Sequence, residues 1–296
     1  MEIANRYEIP VIEDAAEGLG SRYNGQVLGT FGKYGVLSFN GNKMITTSGG
    51  GALITNNEDE WREVMMYATQ YRESYPYYQH EKIGYNYRMS NICAGIGRGQ
   101  MTVLNDHIAH HKHVQSLYET LLKDVPGVKV HSQPELKIEN GKLKVYDSNY
   151  WLCTITIDPE MKVKGQENAY KTIVTGAVGG AAGVIHAAES AHTDCEPNAN
   201  VEAMRVALDK AQIEARPVWK PMHKQPVYCR TIENGQLKIE NLPCGATCQT
   251  SATSVAYVNG VSEAVFKVGM CLPTGPYVSD EDVRYIVDTI KHAIVG

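Results

Sequence analysis

The stretch "SFNGNKMITTSGGGALI", Ser38 to Ile54, sets a single lysine, Lys43, at the end of an apolar, strand-like run and follows it with three glycines. Most lysines are solvated surface charges, but Lys43 falls between "VLSFN" and "MITTSGGGALI", both of which read as interior. A buried ammonium is costly unless it is paired or gives up its proton, and a lysine that gives up its proton is a nucleophile able to condense with carbonyls. The glycines predict a backbone that passes close to a ligand or a neighbouring element, or that takes positive φ.

Upstream, "IPVIEDAAEGLGS" reads as a short buried strand, Ile9 to Ile12, running into acidic residues. "YGVLSFNGNK" is a second strand and "GGGALITNN" a third. Ligands of open α/β sheets gather at the carboxyl ends of strands, so Asp14 and Lys43 belong to one edge. A pyridoxal site needs a carboxylate that keeps the pyridinium nitrogen protonated, so that the ring acts as an electron sink. Asp14 is placed to supply it, or to cap the turn that follows its strand. Ser38 offers a hydroxyl to a phosphate or to a local backbone partner.

With 296 residues, 43% of them hydrophobic and 21% charged, the chain is long enough for one large or two moderate folded domains. A net charge of -5 argues against a broad nucleic-acid surface and leaves a small anionic ligand open. No apolar run approaches the length of a spanning helix, and the first residues lack the basic and apolar regions of a signal peptide, which reads as a cytosolic (cytoplasmic) chain. The cysteines at 93, 153, 195, 229, 244, 248 and 271 follow no framework spacing and read as reduced thiols; Cys244 and Cys248 form a lone C-x3-C with no second ligand pair, so no metal site is expected.

Helical periodicity runs from Glu58 to about Arg72, with Trp61, Val64, Met65 and Ala68 on one face, and then through one or two long helices that start at a cap on Ser90 or Asn91. After Pro126 the character turns α+β: "VKVH", "YWLCTITID", a helix near 199 to 212, "IEARPVW", and a last helix capped by Ser279 with Val283, Ile286, Val287, Ile290 and Ile294 at helical spacing. This places a domain boundary near residue 125. A near-repeat, "LKIENGKLKV" at 136 to 145 and "NGQLKIENLP" at 234 to 243, carries N-G turn signals and predicts two surface hairpins, inserted near 135–146 and 231–255.

Five blocks in order, "VIEDAAEGLGS", "GTFGKYGVLSFNGNKMITTSGGGALI", "GYNYRMSNICAGIGRGQM", "EARPVWKPMH" and "CLPTGPYVSDEDV", resemble the sugar aminotransferases of the DegT/DnrJ/EryC1/StrS family and cover nearly all of the chain. The resemblance implies an α/β fold of the aspartate-aminotransferase type (fold type I), with residues 1–125 a partial large cofactor-binding domain and 126–296 a smaller α+β domain. It implies pyridoxal 5'-phosphate as cofactor, a homodimer with shared active sites, and transfer of an amino group from L-glutamate to a nucleotide-linked keto sugar. Lys43 would hold the cofactor as a Schiff base and, once displaced, act as general base. Asp14 would pair with the pyridinium nitrogen, Ser38 would bind the phosphate, and Asn86 in "GYNYRM" would reach that phosphate from the neighbouring subunit.

Arg88 and His223, the latter in "KPMH", become candidates for substrate or donor contacts; an interface ion pair and a packed loop histidine are their plainer alternatives. Glu17, which the resemblance places among the cofactor-binding residues, stands where many members carry histidine or glutamine. With "NGNK-ITTSGGG" the "EDAAE" pattern resembles the subgroup that makes UDP-N-acetylbacillosamine precursors by amination at C4 of UDP-4-keto-6-deoxy-N-acetylglucosamine. In that subgroup "AYVNG" resembles a substrate-contacting segment, which adds Tyr257 and Asn259. Family chains start well before the equivalent of "IPVIEDAAEG", by on the order of a hundred residues, the size of a small domain. The resemblance therefore supports either a working aminotransferase or a catalytically incomplete fragment or non-enzymatic subunit. Family dehydratases carry histidine in place of the lysine, so Lys43 speaks against that activity.

Overall fold

The computed structural model describes residues 1–134, 136–139, 142–170, 195–225, 230–233, 236–239 and 258–295. In chain order its elements are α1 (Glu2–Arg6), β1 (Ile12–Asp14), β2 (Arg22–Tyr23), β3 (Gln26–Val27), β4 (Tyr34–Ser38), β5 (Gly51–Ile54), α2 (Glu58–Ala68), α3 (Asn91–Leu122), β6 (Val128–His131), β7 (Lys137–Glu139), β8 (Lys142–Lys144), β9 (Tyr146–Asp147), β10 (Cys153–Ile157), α4 (Ala199–Lys210), β11 (Arg216–Pro217), β12 (Arg230–Glu233), β13 (Gln236–Ile239), α5 (Val261–Val268), β14 (Gly269–Leu272) and α6 (Asp280–Ala293). They group into two compact units, Met1–His113 with Ser132–Trp151, and Val114–His131 with Leu152–Gly296. The division falls inside α3 rather than near residue 125. Residues 132–151 return to the first unit because β9 pairs with β2 and the Asn24 side chain accepts the Val145 N–H over 2.8 Å.

In the first unit β4 is the centre of a three-stranded sheet, parallel to β1 and antiparallel to β5. The first strand lies three residues later than the sequence predicts, and it is not buried: Ile9 and Ile12 are 59% and 65% exposed. The ladder explains the shift. It begins where Lys33 N–H donates to the Val11 carbonyl over 2.8 Å and ends where Ala15 N–H donates to Val36. Pro10, which has no N–H, sits just outside it.

Asn57 caps α2, its side chain accepting the Asp59 and Glu60 N–H groups. The helix stops at Ala68 instead of reaching Arg72, because Gln70 and Tyr71 both take positive φ. Helix α3 is one continuous element of 32 residues, with Ser90 Oγ accepting the Cys93 N–H at its start.

The second unit is built on an antiparallel sheet ordered β11-β14-β10-β6. Its core joins Val114, Tyr118 and Leu122 of α3 to Ile155 and Ile157 of β10, Met204 and Leu208 of α4, Met270 and Leu272 of β14, and Val283, Ile286, Val287 and Ile290 of α6. Ser279 and Asp282 close a capping box at the start of α6, as the sequence predicts. The two near-repeat segments pair as hairpins, β7 with β8 and β12 with β13, and their turn residues lie outside the described residues. No helix among the described residues is long and apolar enough to cross a membrane.

Candidate functional site

The parallel register sets Asp14 level with Val36, and the antiparallel one sets Val36 level with Leu53 and Ser38 level with Gly51. Side chains alternate along strands, so Ile12, Asp14, Val36, Ser38 and Leu53 share one face of this sheet. Asp14 ends β1 and Ser38 ends β4. Asp14 Oδ1 accepts the Ala16 N–H over 3.1 Å, and Ser38 Oγ accepts the Asn40 N–H over 3.4 Å. The local alternative that the sequence leaves open is therefore realised at both residues, without using up either side chain. Apolar neighbours surround them on this face, with Val36 36% and Leu53 42% exposed.

Lys43 follows in the loop between β4 and β5. Its side chain is 14% exposed, its ammonium pairs with Glu17 Oε1 at 3.2 Å, and its Nζ lies 4.3 Å from the centroid of the Trp151 ring. The residues after it, Met44 and Ile45, are buried, which matches the interior reading of its surroundings. The three glycines differ in their reasons. Gly50 takes φ +112, and a Cβ on Gly51 would come within 2.4 Å of the Leu37 carbonyl oxygen across the β4–β5 pair, whereas a Cβ on Gly49 would meet nothing.

Glu13, which sequence reasoning left without a role, points to the opposite face from Asp14. Its carboxylate accepts three backbone N–H groups, from Gly29 at 2.8 Å, Phe31 at 2.5 Å and Gly32 at 2.6 Å. That grip ties the "GTFG" turn to the strand that carries Asp14. The signal available was the paired "ED" at a strand end, since alternation sends one carboxylate to each face.

The other predicted residues are spread more widely. Asn86 and Arg88 are exposed, and their side chains make no hydrogen bond or ion pair with Lys43, Asp14 or Ser38 among the described residues. Asn86 forms a backbone bridge with Thr69, and the Arg88 N–H donates to Ala68. His223 and Asn259 belong to the second unit. There His223 Nε2 donates to Glu263 Oε1 over 2.6 Å, and this bond holds the Glu263 carboxyl below the usual carboxylate range. Asn259 Oδ1 accepts the Val261 N–H over 3.2 Å, at the entry to α5. Tyr257, Cys244 and Cys248 lie outside the described residues.

Chemically, the first unit presents an amine, a carboxylate and a hydroxyl on one sheet edge and the loop leaving it. Such a set suits a ligand with a carbonyl to condense with the amine, a cationic ring nitrogen for the carboxylate and an oxyanion for the hydroxyl.

Several relatives align along almost the whole chain. EpsN of Bacillus subtilis, named as a pyridoxal phosphate-dependent aminotransferase, is 32% identical over 99% of this chain and 58% of its own length. A GDP-perosamine synthase of Escherichia coli is 28% identical over 98% of this chain and 60% of its own. Among solved structures, Helicobacter pylori PseC, an aminotransferase involved in the biosynthesis of pseudoaminic acid, superposes with a TM-score of 0.69 over 99% of this chain and 61% of that one, at 17% identity. The α/β fold expected from the sequence is therefore the one observed, and the chain spans about three fifths of the length of these relatives. Residues 1–182 match the profile of the DegT/DnrJ/EryC1/StrS aminotransferase family, and the chain belongs to that family.

Proposed function

We propose that the chain carries the lysine-bearing part of a pyridoxal-phosphate-dependent aminotransferase that moves an amino group from L-glutamate to a nucleotide-linked keto sugar for surface polysaccharide or glycan synthesis in the cytoplasm. The observation that carries this reading is the placement of Asp14 and Ser38 on one face, at the carboxyl ends of adjacent parallel strands, with Lys43 in the loop that leaves the second strand. The donor set fits the cofactor: an amine for its aldehyde, an acceptor for its protonated ring nitrogen and a hydroxyl for its phosphate. When bound, the cofactor supplies an electron sink that acidifies the carbon bearing the amino group.

The chain's own residues do the rest. Asp14 would hold the ring nitrogen protonated, Ser38 would anchor the phosphate, and the ε-amine of Lys43 would serve as the base that carries the proton. Glu17 pairs with Lys43 across 3.2 Å when the amine is free. The favoured acceptor is UDP-4-keto-6-deoxy-N-acetylglucosamine, on the strength of the "EDAAE" and "NGNK-ITTSGGG" pattern. Asn86 and Arg88, exposed in this chain, suit a site completed across a homodimer, and His223, Tyr257 and Asn259 are the candidate sugar contacts.

The exposed apolar neighbours of Asp14 favour a second reading, a non-catalytic subunit whose sheet face is covered by a partner. One experiment separates the two. The full chain is mixed with pyridoxal phosphate, its visible Schiff-base absorbance is recorded, and borohydride-reduced protein is mapped by mass spectrometry. An adduct on Lys43 that is absent from Lys43→Ala supports the enzyme; a parent chain that forms none supports the subunit.

A further inference from the structure

The loop that carries Lys43 is held from outside at the positions that matter to the lysine. Trp151 Nε1–H donates to the Asn42 carbonyl over 2.7 Å, and His107 Nδ1–H donates to the Met44 carbonyl over 3.1 Å. These are the carbonyls one residue before and one residue after Lys43. A third tie, the Thr46 N–H to Gln100 Oε1 at 3.2 Å, lies further along. Within the loop, the Lys43 N–H donates to Asn40.

The indole that grips Asn42 also turns its face to Lys43, with the ammonium nitrogen 4.3 Å from the ring centroid, inside the range of a cation–π contact. Trp151 is itself fixed. Its backbone N–H donates to Asn149 Oδ1 at 2.9 Å, while Asn149 Nδ2 donates to the Glu17 and Leu19 carbonyls at 2.9 and 3.0 Å. The segment from Asn149 to Trp151 therefore sets both partners of the lysine at once, the ring directly and the Glu17 carboxylate through its backbone.

We propose that Trp151 and His107 are positioning residues for Lys43. They fix the backbone on either side of it, and the indole face is the seat its ε-amine occupies whenever it is not joined to a carbonyl. The inference rests on the reading of Lys43 as the cofactor lysine. A lysine that must leave a carbonyl, carry a proton and return to the same carbonyl loses rate for every alternative place its four-carbon stem can wander. A seat beside the site, on a backbone held at both flanks, removes those alternatives.

The test is the rate at which the full chain captures added pyridoxal phosphate as a borohydride-fixed adduct on Lys43, compared across Trp151→Phe, Trp151→Leu, His107→Leu and His107→Asn. Phenylalanine keeps a ring face and removes the N–H donor; asparagine keeps a donor near the position of Nδ1. Losing one such hydrogen bond is expected to slow capture by about three- to tenfold in Trp151→Phe and His107→Leu. Trp151→Leu is expected to be slower still, and His107→Asn to return to within about twofold of the parent. Parent-like capture by Trp151→Leu and His107→Leu overturns the inference alone. A parent that captures nothing overturns the reading beneath it, and the inference with it. Should Trp151→Leu not fold, as judged by its thermal unfolding, Trp151→Phe and the two His107 variants decide the matter.

Discussion

Asp14 and Ser38 end adjacent parallel strands on the same face of one sheet, Asp14 level with Val36 and Ser38 the next residue on that face. A cofactor held between them would have its ring nitrogen at one strand end and its phosphate at the other, on the same side as the lysine loop. The carboxylate matters there for its charge, because only an anion keeps a ring nitrogen protonated. Asp14→Asn retains the shape and the acceptor for the Ala16 N–H and removes the charge. The variant is expected to form the Lys43 adduct but to run the glutamate half-reaction slower by about two orders of magnitude or more, the scale of removing one preorganised electrostatic partner. Stopped-flow absorbance with L-glutamate reads this; a parent-like rate would mean that Asp14 does not face the ring nitrogen.

Glu13 prepares that placement from the opposite face. Three backbone donors converge on its carboxylate, and removing it strands them in a half-buried turn. Glu13→Ala is expected to cost about 1 to 3 kcal/mol in urea unfolding, the range for leaving such donors unsatisfied. Glu13→Gln, which keeps one acceptor oxygen, is expected to lose less. Equal losses in the two variants would show that the carboxylate contributes by packing rather than by its hydrogen bonds.

The contrast between Asp14 and Trp151 shows which parts of the site the sequence could reveal. Strand ends are local features: an apolar run followed by "ED" or "NGNK" marks the element and where it stops, so the placement of Asp14, Ser38 and Lys43 at one sheet edge and the loop leaving it is legible without coordinates. Trp151 and His107 meet the lysine loop from distant parts of the chain, through a hydrogen bond to a backbone carbonyl, which leaves no pattern in residue type or spacing. The position of β1 escapes the sequence for a related reason. The apolar "IPVI" suggested burial, whereas the register with β4 is decided by which N–H groups can pair, and Pro10 offers none. The α6 helix is legible almost to the residue, because its cap and its apolar stripe are both encoded locally.

The glycine run makes a sharper test of that distinction, since three identical residues stand in three different situations. Gly49→Ala adds a methyl group into open space and is expected to change stability by less than about 0.5 kcal/mol, as an unconstrained surface substitution does. Gly51→Ala drives its Cβ toward the Leu37 carbonyl and must separate β4 from β5, at about 1 to 3 kcal/mol. Thermal or urea unfolding of the two variants side by side decides it. Should Gly49→Ala prove the costlier, the run owes its composition to something other than close approach within the sheet.

His111 supplies the pH dependence. It is buried on α3, its Nδ1–H donates to the Tyr150 carbonyl over 3.0 Å, and burial pulls its pKa from the ordinary 6.5 down to about 4, against the opposing pull of that hydrogen bond. The folded chain therefore holds His111 neutral where the unfolded chain already binds a proton. Stability from this site is fully present above the unfolded value of 6.5 and is lost progressively as pH falls from there to about 4, where the folded form takes up the proton as well. His111→Asn keeps a donor for the Tyr150 carbonyl and cannot titrate. Between about pH 7.5 and about pH 5 the parent is expected to lose more unfolding free energy than the variant, with every other histidine common to both. Parallel losses would mean that His111 is protonated in the folded chain, and that its burial is relieved by a route other than neutrality.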